Sequence, residues 1–404
     1  MLQDTFYIWR QEFKQVFKDE GVLIFLIIVP LVYPLLYSWI YNNETVHEVP
    51  VVVVDDSHTS LSRQFIRRCD ASPDVRVAFY AQDMDEAKSL ISRQLVKGAY
   101  YIPGDFETNV YRMQQGVISV YCDMSLMLTY KAIFQTAQLV SLEMGAEIRT
   151  KLGGHYTSRE ETITARPLDY ADVPIFNPAG GYGSFILPGV LMLILQQTLV
   201  LGIGMSAGTA RENSRYKQLI PISRPYQGVF RIVFGKSLCY FMIYAIMGVW
   251  LVVVVPKLFS FPQLATGWTL LVLMLPYILA CIFFGMVMSC LVKYRENVML
   301  LMVFMSVPLL FMSGVSWPQS NIPGLWQGVS WIFPSTWGIK AYVRLNSMGA
   351  SLSDVAFELN MIWLLMTVYF AIACGVYRYQ IYLTRQDALE RWHEMKERKK
   401  VKRE

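Results

Sequence analysis

The sequence predicts an α-helical polytopic membrane protein, with six transmembrane helices and an inserted extracytoplasmic α/β domain. Three observations predict it. The 404 residues are 54% hydrophobic and only 17% charged, and the missing charge is concentrated in six long apolar runs. One long hydrophilic segment separates the first run from the other five. Basic residues crowd the alternate short loops and the tail, as the positive-inside rule requires for an even number of spans.

The runs are Gly21 to Tyr41, Gly180 to Ala210, Ser237 to Pro256, Phe259 to Val292, Asn297 to Ser316 and Leu359 to Tyr377. Each meets the roughly 20 residues that bilayer hydrocarbon demands of a helix. They place the spans at 21–41, 180–208, 232–256, 267–292, 297–314 and 358–378. The first is not a cleavable signal, because about twenty charged and aromatic residues precede it and no small-residue cleavage site follows. Head (1–20), loop 209–231, the loop at Lys293 and Arg295, and tail 379–404 carry most of the short-loop cations. Those segments belong inside, and segment 42–179 outside.

The head repeats Phe6, Trp9, Phe13, Val16 and Phe17 at helical spacing opposite Lys14 and Lys18. Such a helix can lie in the membrane interface or simply extend the first span. Segment 42–179 reads as folded. Val49–Val54, Val75–Tyr80, Gly98–Ile102 and Val117–Cys122 read as strands. Helices are expected from Ser60 to about Cys69, after Asp83, and from about Ser125 to Lys151. Alternating elements of this kind indicate a small α/β domain. Cys69 and Cys122 lie within it without a spacing signature, so their pairing stays open. The other four cysteines fall in apolar runs.

No motif for covalent chemistry is present. The nearest approach to a phosphate loop, Phe230-Arg-Ile-Val-Phe-Gly-Lys-Ser237, lacks its first glycine. No catalytic residue, metal site or cofactor is therefore expected on this chain. Basic residues beside spans, rather than in one patch, exclude nucleic acid as a partner. Gln196 and Gln197 are the most polar positions of the second span; they line a pathway or glue helices together. With no Asp, Glu or Arg in the runs, a proton relay is missing. Segment 315–357 holds Trp317, Trp326, Trp331 and Trp337 among Pro318, Pro323 and Pro334. It reads as a re-entrant lid at the outer mouth or as an interfacial loop.

The loop from Arg211 to Lys236 mixes charge, apolar residues and two prolines. A short helix from about Glu212 to Ile220, stopped at Pro221, would suit a groove on a partner protein; a plain basic loop is the other reading.

Arg211-Glu212, Gln218-Leu219, Arg224-Pro225 and Gly235-Lys236, with Phe176-Asn-Pro178, Ser184-Phe-Ile-Leu-Pro-Gly189, Ser313-Gly314, Trp317-Pro318 and Phe333-Pro334, resemble the permeases of ABC-2 type exporters. The resemblance is to the branch with a large extracytoplasmic domain after the first helix, and it covers nearly the whole chain. At Ser214-Arg-Tyr-Lys217 the chain departs from the family's usual Gly-Thr step and acidic residue. The resemblance implies an ATP-driven exporter in a bacterial inner membrane, with both termini cytoplasmic. It implies an ABC ATPase dimer as partner, with ATP and Mg held there, and a second permease copy or paralogue. A periplasmic adaptor, an outer-membrane channel and membrane lipid are further expected contacts. Arg211, Glu212, Gln218, Leu219, Pro221, Ile222, Arg224 and Pro225 would couple to the ATPase. Gln196, Gln197, Ser313 and Trp317 are the candidates for the path of a hydrophobic or amphiphilic cargo. A mechanotransmission subunit, normally with four spans, and a receptor with a ligand-binding outer domain are the alternatives.

Overall fold

The computed structural model describes residues 2–153, 157, 160, 163, 175–177, 180–212, 228–291 and 294–401. The chain divides into two units: Met1–Asn42 with Ile175–Glu404, and Asn43–Pro174. The first unit begins with helix α1, Leu2–Lys18. Asp19 adopts extended backbone and its side chain accepts a hydrogen bond from the Val22 amide, so it caps α2, Glu20–Ile40, the first span. A π turn at Ile24–Ile28 precedes Pro30, whose ring leaves the carbonyl of Leu26 without its usual helical donor.

The second unit is a three-layer α/β domain. Its elements are β1 (Val49–Asp55), α3 (Ser60–Asp70), β2 (Val75–Tyr80), α4 (Met84–Ser92), β3 (Gly98–Ile102), α5 (Phe106–Tyr111), β4 (Ser119–Cys122) and α6 (Met127–Gly153). The strand order is β2-β1-β3-β4, parallel except for β4 against β3. Val49, Val51 and Val53 point to Phe65, Ile66 and Cys69 of α3 and to Ile133, Ala137 and Val140 of α6. Val52 and Val54 point the other way, onto Ala87 of α4 and Val96. Covering both faces explains why β1 is an unbroken valine run rather than an alternating one. Tyr100 is buried on the first face and donates to the Ile133 carbonyl at 2.9 Å, fixing α6 to the sheet.

Cys69 and Cys122 are both free. Burial pushes the Cys69 thiol up to about 12 and the Cys122 thiol up to about 11. Thiolate is the reactive form, so both are expected to resist iodoacetamide at pH 8 while the domain is folded and to label once it is unfolded. Mass spectrometry with and without urea checks this.

The remaining helices of the first unit are α7 (Tyr182–Glu212), α8 (Val229–Leu258), α9 (Gly267–Leu291), α10 (Arg295–Met312), α11 (Gly324–Ser330), α12 (Pro334–Asn346) and α13 (Ala356–Val401). With α2, the helices α7, α8, α9, α10 and the first part of α13 give six apolar spans. The second and fourth, α7 and α9, are mostly buried by their neighbours; the first, fifth and sixth are mostly exposed. A polytopic helical membrane protein with a sheet-containing insert is thus the observed architecture.

Two helices extend past the apolar runs that mark their spans. The tail does not begin a new element: α13 runs unbroken for 46 residues, about 69 Å at 1.5 Å per residue. The change from apolar to charged composition near Tyr379 is not a change in helix propensity, since Leu, Gln, Glu, Lys and Arg all favour helix. The third helix begins at Val229, three residues before the expected start at 232, and Lys236 lies inside it.

Candidate functional site

Helix α1 packs along α8, and its buried face is Ile8, Glu12 and Val16, one residue per turn. The aromatic stripe sits to the side: Trp9 and Phe13 are half-buried, Phe6 and Phe17 exposed. Close approach is possible because α8 presents Gly235, where an added Cβ would lie 2.9 Å from the Thr5 carbonyl oxygen and 3.0 Å from Ile8. One residue on, Lys236 Nζ stands 3.1 Å from Glu12 Oε2, with side chains only 4% and 2% exposed. Tyr240 donates to Glu12 Oε1 at 2.6 Å and Ser206 of α7 donates to the same oxygen at 3.4 Å. Lys236 also lies over the Tyr377 ring of α13, 5.9 Å from its centre. A buried carboxylate is tolerated only when paired and hydrogen-bonded, and this one has an ammonium and two hydroxyls.

A second ion pair closes the other side. Arg295, at the start of α10, grips Asp19 with both terminal nitrogens, Nη2 to Oδ1 at 2.9 Å and Nη1 to Oδ2 at 3.1 Å. Thr209 of α7 donates to Asp19 Oδ2 at 3.0 Å. The forked geometry is the strong form of a carboxylate pair. The sequence places Arg295 among the loop cations and Lys236 within the third span, and neither pair was legible in it. The signal available was a carboxylate, Glu12, on the same face as Ile8 and Val16.

Together these contacts pin both stems of the loop between α7 and α8. Arg211 and Glu212 are the last residues of α7, two and three positions beyond Thr209; α8 follows Gly228, seven residues before Gly235. Side-chain positions of Arg211 and Glu212, and all of Gln218, Leu219, Pro221, Ile222, Arg224 and Pro225, lie outside the described residues.

The second notable place is the break between α11 and α12. Gln196 stands at the centre of the Tyr182–Ala210 span, about 21 Å from either end. Its Oε1 accepts from the Ser335 amide at 2.6 Å, and the Cys281 thiol lies 3.9 Å away. The start of α12 is therefore level with the middle of the second span. Tyr369 of α13 donates to the Ile332 carbonyl, and Trp337 Nε1 donates to the Trp331 carbonyl at 3.1 Å. Phe284 of α9 meets Phe333 edge-on. Non-helical backbone at membrane depth must find its partners in protein, and here α12 and α13 donate to the two carbonyls of the break while α7 accepts from the first turn of α12. Of the other candidate path residues, Gln197 is half-buried and its amide nitrogen has no partner, Ser313 is buried and donates to the Leu310 carbonyl, and Trp317 is exposed. These three do not form one cluster with Gln196 through any described contact.

Past its first turn, α12 stays buried among α7, α9 and α13. Near its far end Arg344 donates to Glu358 Oε1 at 2.8 Å, and the Asn346 side chain donates to the Pro262 carbonyl at 3.2 Å. The proline at 256 removes the donor for the Val252 carbonyl; Gln263 supplies one at 2.8 Å and Tyr342 of α12 another at 3.4 Å. Among the described residues no group of His, Cys, Asp and Glu is arranged to hold a metal.

Six apolar spans, with a broken helical pair whose second member is buried among them, define the class: a multi-pass helical membrane protein. A family model described as ABC-2 family transporter protein matches residues 21–374. The chain belongs to the ABC-2 family of transporter proteins. None of the curated proteins compared matches it.

Proposed function

We propose that the chain is the permease subunit of an ABC-2 exporter, moving a hydrophobic or amphiphilic cargo (drug-, lipid- or toxin-like) out of the cytoplasm or inner leaflet of a bacterial inner membrane. Energy comes from a separate ABC ATPase dimer, which binds ATP and Mg. Both termini and the α7–α8 loop face the cytoplasm, as the distribution of short-loop cations favours. The sheet domain faces outward, where an adaptor and an outer-membrane channel would meet it. A second permease copy or paralogue completes the transporter.

The observation that carries this reading is the double clamp. Both stems of the loop are joined to the first span and its head, one through Glu12 and Lys236 and the other through Asp19 with Arg295 and Thr209. A push on the loop would reach the first, second, third and fifth spans together. An ATPase can shift the spans only if its two states grip that loop differently. Arg211, Glu212 and Arg224 give the loop charges for registration; Leu219, Pro221 and Ile222 give it an apolar wedge.

The test is recovery of a co-expressed ABC ATPase on the tagged permease. Arg211→Ala with Glu212→Ala is expected to lower recovery more than tenfold, since losing one partner of a buried interfacial charge pair costs about 2–5 kcal/mol. Undiminished recovery would remove these two residues from the interface, and no recovery with the unaltered chain would remove the exporter reading.

A further inference from the structure

The first turn of α12 carries two hydroxyls with nothing to bond. Ser335 is 0% and Thr336 1% exposed, and neither hydroxyl oxygen has a hydrogen-bond partner. Buried hydroxyls almost always find one, so two in succession call for an explanation. They sit at the N-terminus of a 13-residue helix, where backbone dipoles favour negative charge. The Ser335 amide already holds an acceptor oxygen, that of Gln196, at 2.6 Å. Gln196 thus occupies the position that an incoming acceptor group would take.

The same helix continues the pattern. Thr336, Lys340 and Arg344 recur every four residues, so they share one face. Exposure rises along it: Thr336 is closed off, Lys340 half-buried, and the Arg344 side chain 41% exposed. Lys340 Nζ lies 4.7 Å from the centre of the Trp337 ring, which in turn packs against the Trp331 ring. Side chains on a helix lean toward its N-terminus, which brings the ammonium back over the turn that carries Thr336. At the end of the row, Glu358 already holds Arg344 at 2.8 Å. A carboxylate there competes with any anion that arrives and so favours its release.

We propose that this face of α12 receives the acidic head group, carboxylate or phosphate monoester, of an amphiphilic cargo and passes it from mid-span to the end of the helix at Arg344. The inference rests on the exporter reading and narrows its cargo. Transporters commonly aim the N-terminus of a broken helix at an anionic substrate group. Here the hydroxyls and the Lys340 ammonium supply donors on the route, while Gln196 closes its entrance in the resting arrangement.

The experiment uses the full chain in lipid nanodiscs and reads its thermal unfolding with four single-chain amphiphiles: dodecanoate, dodecyl phosphate, dodecyltrimethylammonium and dodecyl maltoside. The two acidic compounds should raise the unfolding temperature in a saturable manner, and the other two should not; comparing the two acids tells carboxylate from phosphate. Thr336→Val and Lys340→Met should each weaken the apparent affinity for the acidic compounds about tenfold, the loss of one hydrogen bond to a charged group. Without ligand, Thr336→Val should unfold at the same temperature or higher, because it removes an unpaired hydroxyl. Equal shifts from all four head groups, wild-type affinity in both variants, or a ligand-free loss of stability in Thr336→Val would overturn the proposal. ATPase recovery on the same preparations separates the two readings: head-group selectivity without ATPase binding overturns only the exporter assignment, and ATPase binding without selectivity overturns only this inference.

Discussion

Lys236→Met in the full chain is expected to destabilise the membrane unit by about 3–5 kcal/mol, the usual cost of leaving one member of a buried ion pair alone. The methionine fills nearly the same volume, so the loss is one of charge. Glu12 would keep its Tyr240 and Ser206 donors but lose the ammonium 3.1 Å away, in a place where its side chain is 2% exposed. The double variant Glu12→Gln, Lys236→Met removes both charges and should recover most of the stability. Thermal unfolding of the three proteins in one detergent checks this. A single variant no worse than the double would mean that the two groups do not depend on each other.

The second large effect is expected at Gly338. A Cβ there would stand 2.3 Å from the Tyr277 ring. The ring cannot swing aside: Tyr277 is fully buried and its hydroxyl is tied to the Met192 carbonyl at 2.8 Å. Gly338→Ala should therefore lift α12 off α7 and α9 and cost at least the 1–3 kcal/mol typical of overpacking. Gly328 of α11 is the control, because an added Cβ there meets nothing within 4 Å. Gly328→Ala should be neutral or stabilise by up to about 1 kcal/mol through helix propensity. Comparable losses of unfolding temperature at both positions would show that the α12 contact is not the cause.

The spans were readable from the sequence because a charge-free run of twenty residues is a local, one-dimensional signal. So was β1, whose valines declare a strand covered on both faces. What could not be read is which residues meet across the chain. Glu12 and Lys236 are more than two hundred positions apart, and each alone looks like an ordinary cation or anion beside an apolar run. The head illustrates the limit well. Its aromatic stripe is compatible with an interfacial helix or an extension of the first span, but it does not announce the face that docks, Ile8, Glu12 and Val16, which is set by Gly235 and Lys236 on another helix. The polarity of Gln196 was visible, but its role was not, because its partner is a backbone amide at Ser335 that no side-chain pattern announces.

In the proposed division of labour this chain moves while another hydrolyses ATP. The most direct measurement is ATP hydrolysis by the purified chain in liposomes, alone and with its co-purified ABC ATPase. No turnover is expected from the chain alone, and the assembled complex should turn over ATP at a rate that Glu12→Gln, Lys236→Met alters. Hydrolysis by the isolated chain would contradict it.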